Sequence, residues 1–208
     1  MIYGALPRDL GLVELSPAEM MFWLYCPIKT PRTDLVLPAT LRQFLPIVLR
    51  AKWEDAERFR DSYVYLTAKT LYATPDCVGN RPGWHSDGFG TDDLNFIWYD
   101  RAPTEFVDCP KGFPLPDDCD ASMDMMAWQA AVSPTVTFPA KHLLRLTPEA
   151  IHRCPVEFEP GMRTFVKVSV SADRYDLEGN SINHELGERW PLHPRQAERN
   201  HPSTRAAA

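Results

Sequence analysis

The chain has no surplus of positive charge: 22 Lys and Arg stand against 28 Asp and Glu in 208 residues, a formal net charge of −6. Binding along a phosphate backbone draws most of its free energy from clustered cations, so a long nucleic acid is not the expected partner. A cysteine framework is also missing. The five cysteines, Cys26, Cys77, Cys109, Cys119 and Cys154, are odd in number and scattered, with no C-x-x-C pair. That pattern excludes a zinc ribbon, offers no disulfide scaffold and reads as reduced thiols in a cytoplasmic protein. No apolar run is long enough to cross a bilayer, "MMFWLYCPI" being too short. The opening "MIYGALPRDLGL" lacks the basic start and apolar stretch of a signal peptide. A soluble chain with no membrane partner is therefore expected, and no internal repeat breaks it up.

Proline is abundant. Its 20 residues disrupt helix interiors and sheet ladders alike and favour a loop-rich β fold over a bundle. With 44% hydrophobic residues the length suits one domain with a true core. Residues 1–62 read as a helical N-terminal support. In "SPAEMMFWLYC", Ser16 stands as N-cap, Pro17 at the first helical position and Glu19 where a capping box places it, which predicts a short helix ended by Pro27. A second helical region falls within "ATLRQFLPIVLRAKWEDAERFRDS", interrupted by Pro46. From "YVYLTAKTLYA" onward, β-branched and aromatic runs alternate with Pro, Gly and Asp, the texture of short antiparallel strands. Strands are expected around 63–73, 84–88, 94–99, 105–107, 134–138, 142–146, 150–158 and 163–171, with "DCPKGFPLPDDCDASM" a long excursion between them. Residues 172–208 form a C-terminal extension that frays at "RNHPSTRAAA".

The chemistry concentrates at "GWHSDGFG", residues 83–90. Side chains alternate faces along a strand, so His85 and Asp87 project the same way. Imidazole plus carboxylate supplies two of the three protein ligands of the facial triad used by non-haem Fe(II) oxygenases. Among the other histidines, His152 is the best placed third ligand, on a strand-like run followed by the "EPG" turn and a strand that opens near Arg163. A guanidinium there suits the far carboxylate of a dicarboxylate chelating the metal, because its planar fork binds carboxylates bidentately. Lys167 shares the face of Arg163 and is the alternative clamp. His142 competes as third ligand, but the same interval forward reaches Arg153, which faces away; His142 is expected to be a partly buried or surface histidine. His184, His193 and His201 lie in polar sequence and read as solvated.

His85-x-Asp87, a gap of 64 residues, His152, and Arg163 after ten more residues resemble the pattern of the 2-oxoglutarate- and Fe(II)-dependent oxygenases. The likeness spans roughly residues 63–171. It implies a mainly β fold with flanking N-terminal helices, its core over 63–171 a double-stranded β-helix, a variety of jelly roll. It further implies Fe(II), 2-oxoglutarate as co-substrate and O2, with His85, Asp87 and His152 as metal ligands and Arg163 gripping 2-oxoglutarate. The implied reaction is hydroxylation of a C–H bond of a small molecule or side chain, with decarboxylation of 2-oxoglutarate to succinate. A tyrosine ahead of the metal motif often assists in that family, and Tyr72 or Tyr65 fills that place. One departure is Phe165, where many members carry Ser or Thr; Thr164 is adjacent but faces the other way. Trp84, Phe89 and Arg101 are candidate substrate residues, with Arg81, Asp92, Asp93 and Asp100 also flanking the motif. Two other classes of function stand beside this one: a non-catalytic metal-binding jelly-roll sensor or scaffold, and a cupin-like metalloenzyme that needs no 2-oxoglutarate. The sequence leaves the substrate and the oligomeric state open.

Overall fold

The computed structural model describes residues 1–17 and 19–195. The expected fray at "RNHPSTRAAA" and the histidine at position 201 therefore lie outside the described residues. Among the described residues no helix is long and apolar enough to cross a membrane. The structure is mainly β, with antiparallel pairing throughout its sheets.

Three strands and three helical segments precede residue 62. Strands β1 (Ile2–Tyr3), β2 (Arg8–Leu12) and β3 (Met21–Lys29) come first, then a 3-10 turn (Ala39–Phe44), α1 (Leu45–Glu54) and α2 (Ala56–Asp61). Pro46 does not interrupt α1: it stands in the first turn, where a missing N–H costs nothing. The helix expected from Ser16 to Pro27 is instead strand β3. Its aromatic run pairs along β4 (Tyr63–Ala73), from Met21 opposite Thr70 to Lys29 opposite Val64. The Ser-Pro-x-Glu lead-in mimics a helix start, but Phe22, Trp23 and Tyr25 favour a pleated surface, and tertiary pairing decides. Because β3 lies at the edge of its sheet, Pro27 is tolerated there.

The remaining strands are β5 (His85–Ser86), β6 (Leu94–Tyr99), β7 (Glu105–Val107), β8 (Phe113–Pro114), β9 (Thr135–Thr137), β10 (His142–Leu146), β11 (Ile151–Arg153) and β12 (Gly161–Ser171). A six-stranded sheet runs β2-β10-β6-β12-β4-β3 and a four-stranded sheet β5-β11-β7-β9, while β1 pairs with β8. The N-terminal 62 residues thus contribute both edge strands of the large sheet as well as helices. From β4 to β12 the chain passes back and forth between the two sheets. The Pro- and Asp-rich excursion was not expected to be helical, yet it leads into α3 (Cys119–Val132), whose N-cap Asp118 accepts from the Ala121 N–H at 2.8 Å.

Alternation along the strands builds the layers. Val64, Leu66 and Ala68 of β4 and Val166, Val168 and Val170 of β12 pack against Phe44, Ile47, Val48, Ala51 and Phe59, so the helices cover one face of the large sheet. Each of the Val, Leu, Ile and Phe side chains taken out of water contributes about 1.5–3 kcal/mol. Ile97, Tyr99, Leu144 and Leu146 of the large sheet meet Phe106 of β7 between the sheets. Val107 and Ile151 point the other way, onto Met126 of α3. The inward-facing odd positions of β4 and β12 include Thr67, Lys69, Phe165 and Lys167, which line a cavity.

Candidate metal centre

Register brings the histidines together. His152 on β11 is the direct cross-strand partner of His85 on β5, so both imidazoles leave the small sheet on its inner face, ring centroids 4.5 Å apart. Asp87 follows two residues after His85, and one ligand atom from each of the three lies within 4.8 Å of the others. Gly88, at φ 78°, turns the chain immediately afterwards; a Cβ there would stand 2.9 Å from that of Asp93, so glycine is required by both torsion and space.

The protonation of both rings follows from their partners. His85 Nδ1 lies 2.8 Å from the Gly83 carbonyl and His152 Nδ1 lies 3.1 Å from the Ala150 carbonyl. A carbonyl only accepts, so Nδ1 carries the proton in each ring and Nε2 presents its lone pair. Such backbone anchoring is how metal-binding histidines are commonly oriented. Burial, then the neighbouring His152, pulls the pKa of His85 down to about 3 against the partial opposition of Asp87, which keeps the ring neutral. Burial opposes ionisation of Asp87, but Lys167, and after it His152, outweigh it and hold the carboxyl well below its ordinary range. Two imidazole nitrogens and one carboxylate are a donor set that fits a divalent transition metal with further positions left for other ligands.

Lys167 supports the carboxylate. Its buried Nζ donates to Asp87 Oδ2 at 2.8 Å and to the Tyr25 hydroxyl at 3.2 Å. Burial disfavours its charge, but Asp87 more than compensates and raises its pKa above the usual lysine value. Tyr25 reaches this position through a bulge in β3, where its φ is 47° and its N–H donates to Thr67 Oγ1 at 3.0 Å. Its ring meets Tyr175 edge-on, 5.3 Å between centroids.

All three candidate ligands line a cavity of about 390 Å³ between the sheets, a volume suited to a small molecule. Lys167, Arg81 and Cys154 share that lining, as do Tyr25, Lys69 and Arg195. Tyr25 and Arg195 carry no local signature that singles them out, whereas Lys69 stands out as a lysine amid the apolar β4 run. Tyr25 was hidden by the expectation of a helix.

Several expected site residues are placed elsewhere. Arg163 is buried, but its Nε and Nη2 donate to the carbonyls of Arg101 and Ala102 at 3.2–3.3 Å, and it is not part of the lining. Tyr72 is 60% exposed on the strand face opposite Lys69, because the alternation of β4 turns even positions away from the cavity. Tyr65 is spent inside the fold, donating to the Asp173 carbonyl and accepting from the Tyr175 N–H. Trp84 packs under the Arg153 guanidinium at 4.4 Å, and Phe89 stacks on Tyr3 at 5.6 Å, both in the cluster beneath α3. Arg101 donates to the Glu159 carbonyl. None of these residues lines the cavity. His142 pairs with Asp9 at 2.8 Å, away from the other histidines, and His184 and His193 are exposed.

No family model matches the chain, and no curated protein matches it. Among solved structures, the L-ribose isomerase of Acinetobacter sp. DL28, in complex with L-ribose, is similar to 80% of this chain at 12% identity and a TM-score of 0.37. The matched part spans 63% of that isomerase's own length.

Proposed function

We propose that this chain is a metal-dependent enzyme acting on a small molecule and, more narrowly, an Fe(II)- and 2-oxoglutarate-dependent oxygenase. The observation that carries the reading is the convergence of His85, Asp87 and His152 on one cavity wall, both Nε2 lone pairs unengaged by the backbone. The passage of the chain between two antiparallel sheets from β4 to β12 supports a double-stranded β-helix, with His85 and Asp87 at β5 and His152 at β11.

In this reading His85, Asp87 and His152 hold the iron. Iron together with 2-oxoglutarate and O2 would supply the oxidising power, 2-oxoglutarate leaving as succinate and CO2 and the substrate gaining one oxygen. The chain's share is to fix the ligands, exclude water and position the substrate. Lys167 keeps one carboxylate oxygen of Asp87 hydrogen-bonded and so limits how that ligand can turn. Tyr25 and Tyr175 wall the cavity on the side of β3.

A second reading, a cupin-like metalloenzyme that does not use 2-oxoglutarate, is favoured by one observation. The Arg163 guanidinium is occupied by two backbone carbonyls rather than facing the cavity. Anaerobic titration of the protein with Fe(II) and then 2-oxoglutarate separates the readings. A visible charge-transfer band on adding 2-oxoglutarate, followed by succinate on admitting O2, is expected for the oxygenase. Bound iron without the band points to the cupin-like enzyme, and absence of bound metal contradicts both.

A further inference from the structure

The cavity beside the candidate metal centre is cationic in an acidic protein. Its lining holds Lys69, Arg81, Arg153, Lys167 and Arg195, and Asp87 is its one acid among the described residues, whereas the whole chain carries −6. Among these cations Lys167 pairs with Asp87 at 2.8 Å and Arg153 with Glu105 at 2.7 Å. Lys69 has no acidic partner among the described residues. Its Nζ donates to the Gly79 carbonyl at 2.9 Å and to Asn80 Oδ1 at 3.1 Å, both neutral acceptors, which uses two of the three ammonium donors. The Phe22 ring, 5.0 Å from Nζ, backs the ammonium.

The register sharpens the point. Lys69 stands opposite Phe165, so Arg163 and Lys167 are its diagonal neighbours on the same inward face of β12. Asp87 neutralises Lys167, and backbone carbonyls receive Arg163 without cancelling its charge. Burial first, and then the charges of Lys167 and Arg163, lower the Lys69 pKa to about 8. A desolvated ammonium among like charges is relieved by losing its proton or by a bound anion. Farther along the lining, Arg195 is likewise held by uncharged acceptors, Asn180 Oδ1 at 2.7 Å and the Glu178 carbonyl at 3.0 Å.

We propose that the small molecule on which this centre acts is an anion bearing a carboxylate or phosphate group, and that Lys69 anchors that group. The proposal rests on reading His85, Asp87 and His152 as a metal centre. It holds whether or not 2-oxoglutarate takes part.

The test is calorimetric titration of the full chain, metal-free and Mn(II)-loaded, with 2-oxoglutarate and with matched probes: butyrate against butyramide, and glycerol 3-phosphate against glycerol. At least one anion should bind with a Kd ten or more times lower than its uncharged counterpart, and which one does so identifies the group. Lys69→Met should raise that Kd at least tenfold, Lys69→Arg should restore it to within about threefold, and both variants should bind Mn(II) as the wild type does, which also reports an intact fold. Equal binding of charged and uncharged probes, binding of none, or an anion Kd unmoved by Lys69→Met overturns the proposal. So does a loss confined to 2-oxoglutarate with both probes unaffected, since Lys69 would then serve the co-substrate. Wild-type protein that binds an anion but no Mn(II) contradicts the metal centre and not the anion site.

Discussion

At the scale of single residues, the carbonyls of Gly83 and Ala150 decide what the histidines can do, because each fixes a proton on Nδ1 and leaves Nε2 as a donor. The pairing of Lys167 with Asp87 decides what the carboxylate can do. A hydrogen bond to a charged group contributes about 1.5–3 kcal/mol, so metal-free Lys167→Met is expected to unfold at lower urea concentration than the wild type. Mn(II) should then stabilise the variant more than it stabilises the wild type, since the competing cation beside Asp87 is gone. Equal unfolding midpoints without metal would remove Lys167 from this role. Lys69 gives a pH dependence of defined sign. It is protonated below its pKa of about 8 and neutral above, so anion binding should weaken as pH rises through that value, and Lys69→Arg should flatten the profile. Around it lie Lys167, Arg163, Cys154 and Asp87; Asp87 raises the Lys167 pKa, a guanidinium stays charged in this range, and burial pushes the Cys154 thiol up. An affinity that stays level from pH 7 to 9.5 in the wild type would contradict the assignment.

At the scale of elements, α3 shows how a polar cap supports the small sheet that carries His152. Loss of the Asp118 cap leaves an N–H of the first turn without its partner, and Asp118→Ala is expected to cost about 0.5–2 kcal/mol in chemical denaturation. An unchanged midpoint would mean that packing of Met126 against Val107 and Ile151 alone holds the helix. The sequence made β4, β6, β7 and β10 readable because runs such as "LNFIWY" lie in mid-sheet and are mostly apolar, aromatic or β-branched. It misled at β3, where Ser16, Pro17 and Glu19 imitate a helix cap and the true partner, β4, lies far along the chain. It was silent on α3, a helix of Met and Ala set behind a Pro- and Asp-rich loop. The spacing of His85 and Asp87 was legible because two residues on one strand edge share a face, and the meeting with His152 became visible only in the register of β5 on β11. Lys69, Tyr25 and Arg195 reach the cavity from β4, from a bulge and from the C-terminal segment, and no local pattern links them.

At the scale of the whole molecule, helices, large sheet, small sheet and α3 form successive layers, and the cavity sits between the sheets, where packing holds its walls on both sides. Acidity on the outside and cations within set the cavity apart electrostatically from the surface around it. A metal that binds only the folded state should also raise the melting temperature in proportion to the logarithm of its concentration once the site is saturated. The most direct measurement is anaerobic equilibrium titration with Fe(II), and with Mn(II) as a redox-stable substitute, of the wild type and of His85→Ala, Asp87→Ala and His152→Ala, each checked for fold by circular dichroism. The account predicts one metal per wild-type chain and affinity lost by tenfold or more in every folded variant. A wild type that binds no divalent metal, or variants that bind it as tightly as the wild type, would contradict it.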